Sequence, residues 1–450
     1  MKPRNRASKL EAFIANPRGS LWQLSLPVMG GMIVQTVYNI VDMIFVGRIS
    51  SDAIAALAFN IPLVFFAIGL IFGLGTGATA VIAQAIGRDD KPEADNAAEH
   101  TILLGVFLSL VITIPGVLWG SHILRAIGTP DELLPLAYEY FQVYAGGIGF
   151  LILAVFFRSI LSGEGDTLFP MIVMSIGTVL NIILDPIFIF VLDMGIGGAA
   201  LATVISQATV CGIFVYALYF KKHSYVTFKP QDFSFTWVIL RRIILIGFPA
   251  SLSMIIMSVG GGVFNWILVN YTPNAVAAFQ VGSRLDFLAI LPILSIATSL
   301  TTLVGMFYGA NRPRLLASIV RYAQFQSVLL TSVVGLAYFI LAPYIIPIFT
   351  DSAEIIEIAV EYLRTIVFAF PFIAFGITSN RTMQGMGRSL PMLIMTALRV
   401  VGISAPTALL FSHVLHKPIQ FVWFAMVIAS VVTSVVAFSW MRRMIKALAS

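Results

Sequence analysis

The sequence predicts an all-α polytopic membrane protein, with twelve transmembrane helices in two pseudo-symmetric six-helix bundles around a central cleft. Three observations predict it. Of the 450 residues, 59% are hydrophobic and only 11% charged, where a soluble domain carries about 25% charge. Apolar runs of about 20 residues or more recur from end to end, each long enough to cross a bilayer core. The second half of the chain also repeats the first at an offset of about 222 residues. Helices satisfy their own backbone hydrogen bonds in lipid, and the runs lack the period-two alternation of a membrane barrel.

The spans read as 20–47, 53–83, 97–120, 132–162, 168–192, 197–220, 239–270, 275–307, 317–342, 354–384, 389–413 and 419–441. The first run is too long for a secretory signal and no small-residue cleavage site follows it, so it is expected to stay as an anchor. Basic residues set the orientation. They crowd the N-terminal tail (Lys2, Arg4, Arg6, Lys9, Arg18), the even-to-odd connections from Arg88 and Lys91 through Lys229 to Arg388, and the C-terminal tail. The other side has only Arg48, Arg125 and Lys417. Both termini are therefore expected in the cytoplasm.

The repeat divides the chain. "LPVMGGM" at 26–32 matches "FPASLSM" at 248–254, "EYFQVYA" at 139–145 matches "EYLRTIV" at 361–367, and "SGEGDTLFP" at 162–170 matches "QGMGRSLP" at 384–391. Residues 1–220 then form an N-terminal lobe, 221–238 a cytoplasmic linker and 239–450 a C-terminal lobe. Six spans per half is an even number, so the halves enter from the same side, related by an axis along the membrane normal.

Taken in order, the spans hold few polar side chains. In the first, Gln35, Asn39 and Asp42 stand at i, i+4 and i+7, with Tyr38 four before Asp42, which makes one polar stripe. Pro27 and Gly30 in "SLPVMGG" are candidate bending points. "GLGTGATA" in the second span has no preceding strand and reads as close helix packing rather than phosphate binding. Tyr140 lies in the fourth. In the fifth, Asn181 and Asp185 are i, i+4 and are followed by Pro186, which frees a carbonyl one turn back. Thr203 and Gln207 form a similar pair in the sixth. In the eighth, Arg284 and Asp286 flank Leu285, too close in sequence to face each other. Arg364 stands three after Glu361 and is expected to pair with it, and Arg399 to pair or snorkel.

A carboxylate at the bilayer centre costs about 2.5–3.5 kcal/mol on the insertion scale. Asp42 and Asp185 are thus expected to face a cavity and bind a proton or a sodium ion. Asp42 aligns with Phe264 and Asp185 falls near Pro406 and Thr407. That asymmetry places the ion coupling in the N-terminal half.

Other chemistries are excluded or disfavoured. The charge of +6 is spread over short loops as a topology signal, so no nucleic-acid partner is expected. One cysteine, Cys211, permits no internal disulfide. His100, His122, His223, His413 and His416 are not clustered as metal ligands, no cofactor is expected, and no Walker A lysine motif is present. An intramembrane enzyme would need convergent nucleophiles or metal groups within spans, which the sequence lacks.

Taken together, "YNIVDMIFVGR", "GEGD", "LNIILDPIFIF" and "GAALATVISQ" resemble the multidrug and toxic compound extrusion (MATE) family, and within it the DinF-type prokaryotic branch. The resemblance covers the whole chain. It implies a monomeric antiporter in a prokaryotic inner membrane, in contact with lipid. It would export small lipophilic, mostly cationic compounds in exchange for inward H⁺ or Na⁺ by alternating access. It also implies a cation site, including any Na⁺, at Asp42, Asn181, Asp185 and Thr203, with Gln35, Tyr38, Asn39, Tyr140, Gln207 and Arg284 lining the cavity. Phe65, Phe156 and Met257 are candidate apolar contacts for substrate. One departure is Arg158, just before "SGEGD", which is expected to snorkel out of the cavity. The alternative is a lipid-linked oligosaccharide flippase of the same superfamily, which needs a cleft basic enough for pyrophosphate.

Overall fold

The structure, a computed structural model, describes residues 8–228 and 233–449; Lys2, Arg4, Arg6 and Lys229 lie outside the described residues. The described residues form helices and no strands. A short helix α1 (Ser8–Ala15) precedes α2 (Pro17–Gly47), α3 (Ser51–Gly87), α4 (Lys91–Ala126), α5 (Leu134–Gly163), α6 (Leu168–Pro186) and α7 (Gly195–Val215). The second half holds α8 (Trp237–Val269), α9 (Pro273–Gly309), α10 (Pro313–Ile345), α11 (Ala353–Ile366), α12 (Phe370–Gly385), α13 (Leu390–Ala397), α14 (Ala405–Leu409) and α15 (Gln420–Ala449). Among the described residues these make twelve helical stretches long and apolar enough to cross a membrane. A 3₁₀ turn, Val367–Ala369, joins α11 to α12 and a seven-residue π segment, Leu398–Ser404, joins α13 to α14, so each of those pairs serves as one span.

Several helices outrun the apolar runs because their polar ends are capped. The fourth helix starts six residues before the predicted 97: Asp90 accepts the Glu93 N–H at 3.0 Å, and Lys91 pairs with Asp95 one turn on. Such caps hold polar turns helical beyond the lipid.

The chain forms two compact units. One contains Leu26–Ser251 with the described residues up to Leu10; the other contains Glu11–Ser25 and Leu252–Ser450. The boundary is thus displaced from the expected linker at 221–238 to the middle of α8. Two sets of contacts explain this. First, α8 lies tight against α3: a Cβ on Gly77 would fall 2.3 Å from the Ile243 carbonyl oxygen, and one on Gly73 would fall 2.4 Å from the Ser251 nitrogen. Gly73 and Gly77 of "GLGTGATA" are there for backbone contact with α8, and Gly75 makes room for the Ser159 side chain of α5.

Second, the segment after α7 is tied to the first unit by side chains. Glu164, 2% exposed, accepts the Ser224 hydroxyl and the N–H groups of Tyr225 at 2.8 Å and Val226 at 2.9 Å. Asp95 accepts the Thr227 N–H at 2.8 Å, and His100 Nε2 accepts that of Thr236 at 2.9 Å. Burial lifts the Glu164 carboxyl above its ordinary value, opposed by those three hydrogen bonds. For Asp166 burial also pushes upward. It is outweighed by His223 at 3.2 Å, Lys9 at 3.9 Å and the Phe169 N–H, and the carboxyl is held below its ordinary value.

The second unit is built on an aromatic core. Trp423, Tyr362 and Phe370 are essentially unexposed, and Phe279 stacks on Trp423 with ring centroids 6.1 Å apart. Arg364 does not pair with Glu361 as expected. Its Nε donates to the Phe339 carbonyl at 3.2 Å, and its guanidinium lies 5.5 Å over the Phe339 ring.

Candidate cation site

Four helices of the first unit bring polar groups together. Helix α2 carries Tyr38 and Asp42 one turn apart, α6 carries Asn181 and Asp185 one turn apart, α7 carries Thr203, and α5 carries Tyr140 and Tyr144. The i, i+4 spacing puts each pair on one helix face. Asp185 is 0% exposed and Asn181 3%. Asn181 Nδ2 donates to Asp185 Oδ1 at 3.1 Å. The remaining acceptors, Asn181 Oδ1 and Asp185 Oδ2, are buried without a hydrogen-bond partner.

Asp42 lies within electrostatic reach of Asp185. Tyr38 shares a side-chain hydrogen bond with Thr203 and feels both carboxylates. Tyr140 stacks on Tyr144 with centroids 5.8 Å apart and lies within reach of Tyr38, Asp42 and Asp185. Among the described residues no cationic side chain forms an ion pair with either acid. One buried and one half-buried carboxylate, with oxygen neighbours and no countercharge, suit a proton or a hard cation, which would relieve the desolvation and the mutual repulsion together.

The local chain explains the placement. Pro186 offers no N–H to the Ile182 carbonyl, and a π-helical turn, Ile187–Val191, follows it directly. The acid therefore sits where regular helix gives way, a setting in which loosened backbone is tolerated beside a functional group. In α2, Pro27 lies inside a continuous helix. Gly30 has no neighbour within 4 Å of where a Cβ would stand, so packing does not explain that glycine.

The structure does not gather every predicted residue. Gln35 and Asn39 are exposed and hydrogen-bond to each other at 3.3 Å. Gln207 is half-buried with Oε1 lacking a partner. Arg284 is exposed and belongs to the second unit. Phe65 and Met257 are exposed, but Phe156 is 1% exposed. It is packed under Gly105, where a Cβ would meet its ring at 2.7 Å, so it is a core residue and not a substrate contact. Arg158 does not extend away as expected; it lies half-buried with its guanidinium 4.8 Å over the Phe72 ring. Tyr144 was missed, although its position four after Tyr140 on the same face was a usable signal.

Comparison with known proteins agrees in extent as well as pattern. The MatE family model matches residues 27–187 and 249–410, one copy in each half. The chain is 29% identical over 423 residues to the probable multidrug resistance protein NorM of Thermotoga maritima, covering 91% of this chain and 89% of that one. It is 27% identical over 389 residues to the multidrug export protein MepA of Staphylococcus aureus strain MSSA476, covering 84% of each. A multidrug resistance MATE family transporter of the MOP superfamily, solved in an outward-facing conformation, superposes with a TM-score of 0.91. The two are 34% identical over 95% of this chain and 96% of that one.

Proposed function

The chain belongs to the MatE family of multidrug efflux transporters, and from that premise we propose that it is a cation-coupled antiporter. It exports lipophilic, mostly cationic compounds by alternating access and takes H⁺ or Na⁺ inward in exchange. The observation that carries this reading is the uncompensated pair Asp42 and Asp185, gathered with Tyr38, Asn181 and Thr203.

The cycle follows from electrostatics. Open to the outside, the two acids titrate as one coupled unit and take up a cation. Neutralising them removes the cost of closing lipid and protein around charge, so α2 repacks at its Pro27–Gly30 segment, with Pro186 as the second hinge, and substrate leaves outward. Reorientation exposes the site to the cytoplasm, where the cation leaves and substrate binds. The Lys and Arg distribution supports both termini lying on that cytoplasmic side. Exchange of one H⁺ for a singly charged substrate moves no net charge, so the pH gradient alone drives it, at about 1.4 kcal/mol per pH unit. A neutral substrate gains the membrane potential as well, about 2.3 kcal/mol per 100 mV.

The acids also count against lipid pyrophosphate as cargo, since like charge would meet in the site. The test is Asp42→Asn in a drug-sensitive host. The substitution keeps the shape and removes the charge; efflux is expected to fall to background while the protein remains in the membrane. Unchanged efflux with unchanged pH dependence removes Asp42 from the mechanism.

A further inference from the structure

The second unit holds a half-buried carboxylate, Asp286, that the repeat does not reveal. Asp286 of α9 accepts the Tyr362 hydroxyl of α11 on Oδ2, while its Oδ1 is buried without a hydrogen-bond partner. The surroundings are built to hold that pair. Gly282, one turn before Asp286, makes room for the Tyr362 ring: a Cβ there would fall 2.3 Å from it. Trp423 of α15 packs edge-on at 4.8 Å, and Phe279 edge-on at 5.6 Å. Ser283 shares a side-chain hydrogen bond with Tyr362. From α10, Tyr338 donates to the Leu285 carbonyl at 3.3 Å, beside Asp286.

The titratable groups facing Asp286 are thus two phenols, Tyr362 and Tyr338. Arg284, on the same helix, is exposed, and no described cationic side chain pairs with the acid. A carboxylate with one oxygen satisfied and the other buried and bare is unstable as a lone anion. A proton is the smallest ligand that removes the charge, and the phenol hydrogen bond serves both the neutral acid and the anion.

The repeat adds a second observation. Tyr362 is the counterpart of Tyr140, which lies within electrostatic reach of Asp42 and Asp185 in the first unit. Each unit therefore has its equivalent tyrosine within electrostatic reach of an acid in a membrane span, hydrogen-bonded to it in the second unit, but the acids come from non-equivalent helices. We propose that Asp286, held by Tyr362, is a second proton-binding site, so that each unit carries its own exchangeable proton. This rests on the reading of the chain as a cation-coupled exporter, but not on which residues of the first unit do the coupling.

The test is infrared difference spectroscopy of the purified wild-type protein in lipid vesicles, titrated with acid and alkali in sodium-free buffer. The site predicts a carbonyl band of a buried protonated carboxylic acid that is absent in Asp286→Asn and present in Asp42→Asn. Tyr362→Phe, which keeps the ring in its seat, should shift that band to higher frequency by removing its hydrogen bond. Three results overturn the proposal: an acid titration identical in wild type and Asp286→Asn, a band unmoved by Tyr362→Phe, or a band bleached by sodium at constant pH instead of by alkali. Loss of transport coupling is read separately through Asp42→Asn. Its failure would sink the first-unit reading and leave the Asp286 band untouched.

Discussion

Asp185 has no exposed surface, yet only one of its oxygens is hydrogen-bonded. That imbalance sets the residue-scale expectations. Replacing Asn181 with Leu removes both the donor that steadies the Asp185 anion and the bare Oδ1 acceptor. A sodium ion loses a ligand and should need a higher concentration for half-maximal transport, whereas a proton loses its competitor and should need a lower one, about tenfold either way for a bond of ~1.4 kcal/mol. Outside the membrane, Asp166 has its carboxyl held below its ordinary 3.8 by His223 and Lys9 against the upward push of burial. Its contribution to stability is therefore present above that ordinary value and lost as pH falls through the lower folded value. Asp166→Asn should cost about 1 kcal/mol at neutral pH and flatten the fall in melting temperature on acidification below about pH 5. Glu164, raised, has the opposite sign, its contribution diminishing as pH climbs above 4.5. Thermal melts in detergent across the acid range check both. At this scale the sequence was informative where spacing carried the message: Asp42 and Asp185 stood out as acids in apolar runs. Asp286 did not, because its neighbour Arg284 invited a same-helix comparison, while its true partner, Tyr362, lies 76 positions away.

Helix ends and contacts between helices follow different rules. Gly77 meets the Ile243 carbonyl closely enough that even a methyl group cannot be placed. Gly77→Ala should force α3 and α8 apart and cost about 1–3 kcal/mol, the range of overpacking, seen as a lower melting temperature. Glu164→Ala leaves the Ser224, Tyr225 and Val226 donors without their acceptor. Segment 221–228 should then become cleavable by protease while the helices stay protected, at a cost of about 1–3 kcal/mol. The existence and order of the twelve spans were legible from apolar runs alone. Their ends were not, because caps such as Asp90 on α4 extend a helix through polar turns that hydropathy reads as loop. The attachment of the linker was equally hidden, since a carboxylate in one turn and the amides it binds lie some 60 residues apart.

For the whole molecule, the internal repeat foretold two halves of six spans, and the family model matches each half. It did not foretell that the start of the chain and the start of α8 would be exchanged between the compact units. Periodicity along the chain reports faces and lengths; long-range packing decides where a unit ends. The account's central claim is that binding and release of a cation by Asp42 and Asp185 drives export. The most direct measurement is substrate transport into proteoliposomes of purified protein with H⁺ and Na⁺ gradients imposed separately, for wild type and Asp42→Asn. Wild type should be driven by one of the two gradients, and Asp42→Asn by neither. Equal rates with the same gradient dependence in both proteins would contradict the claim.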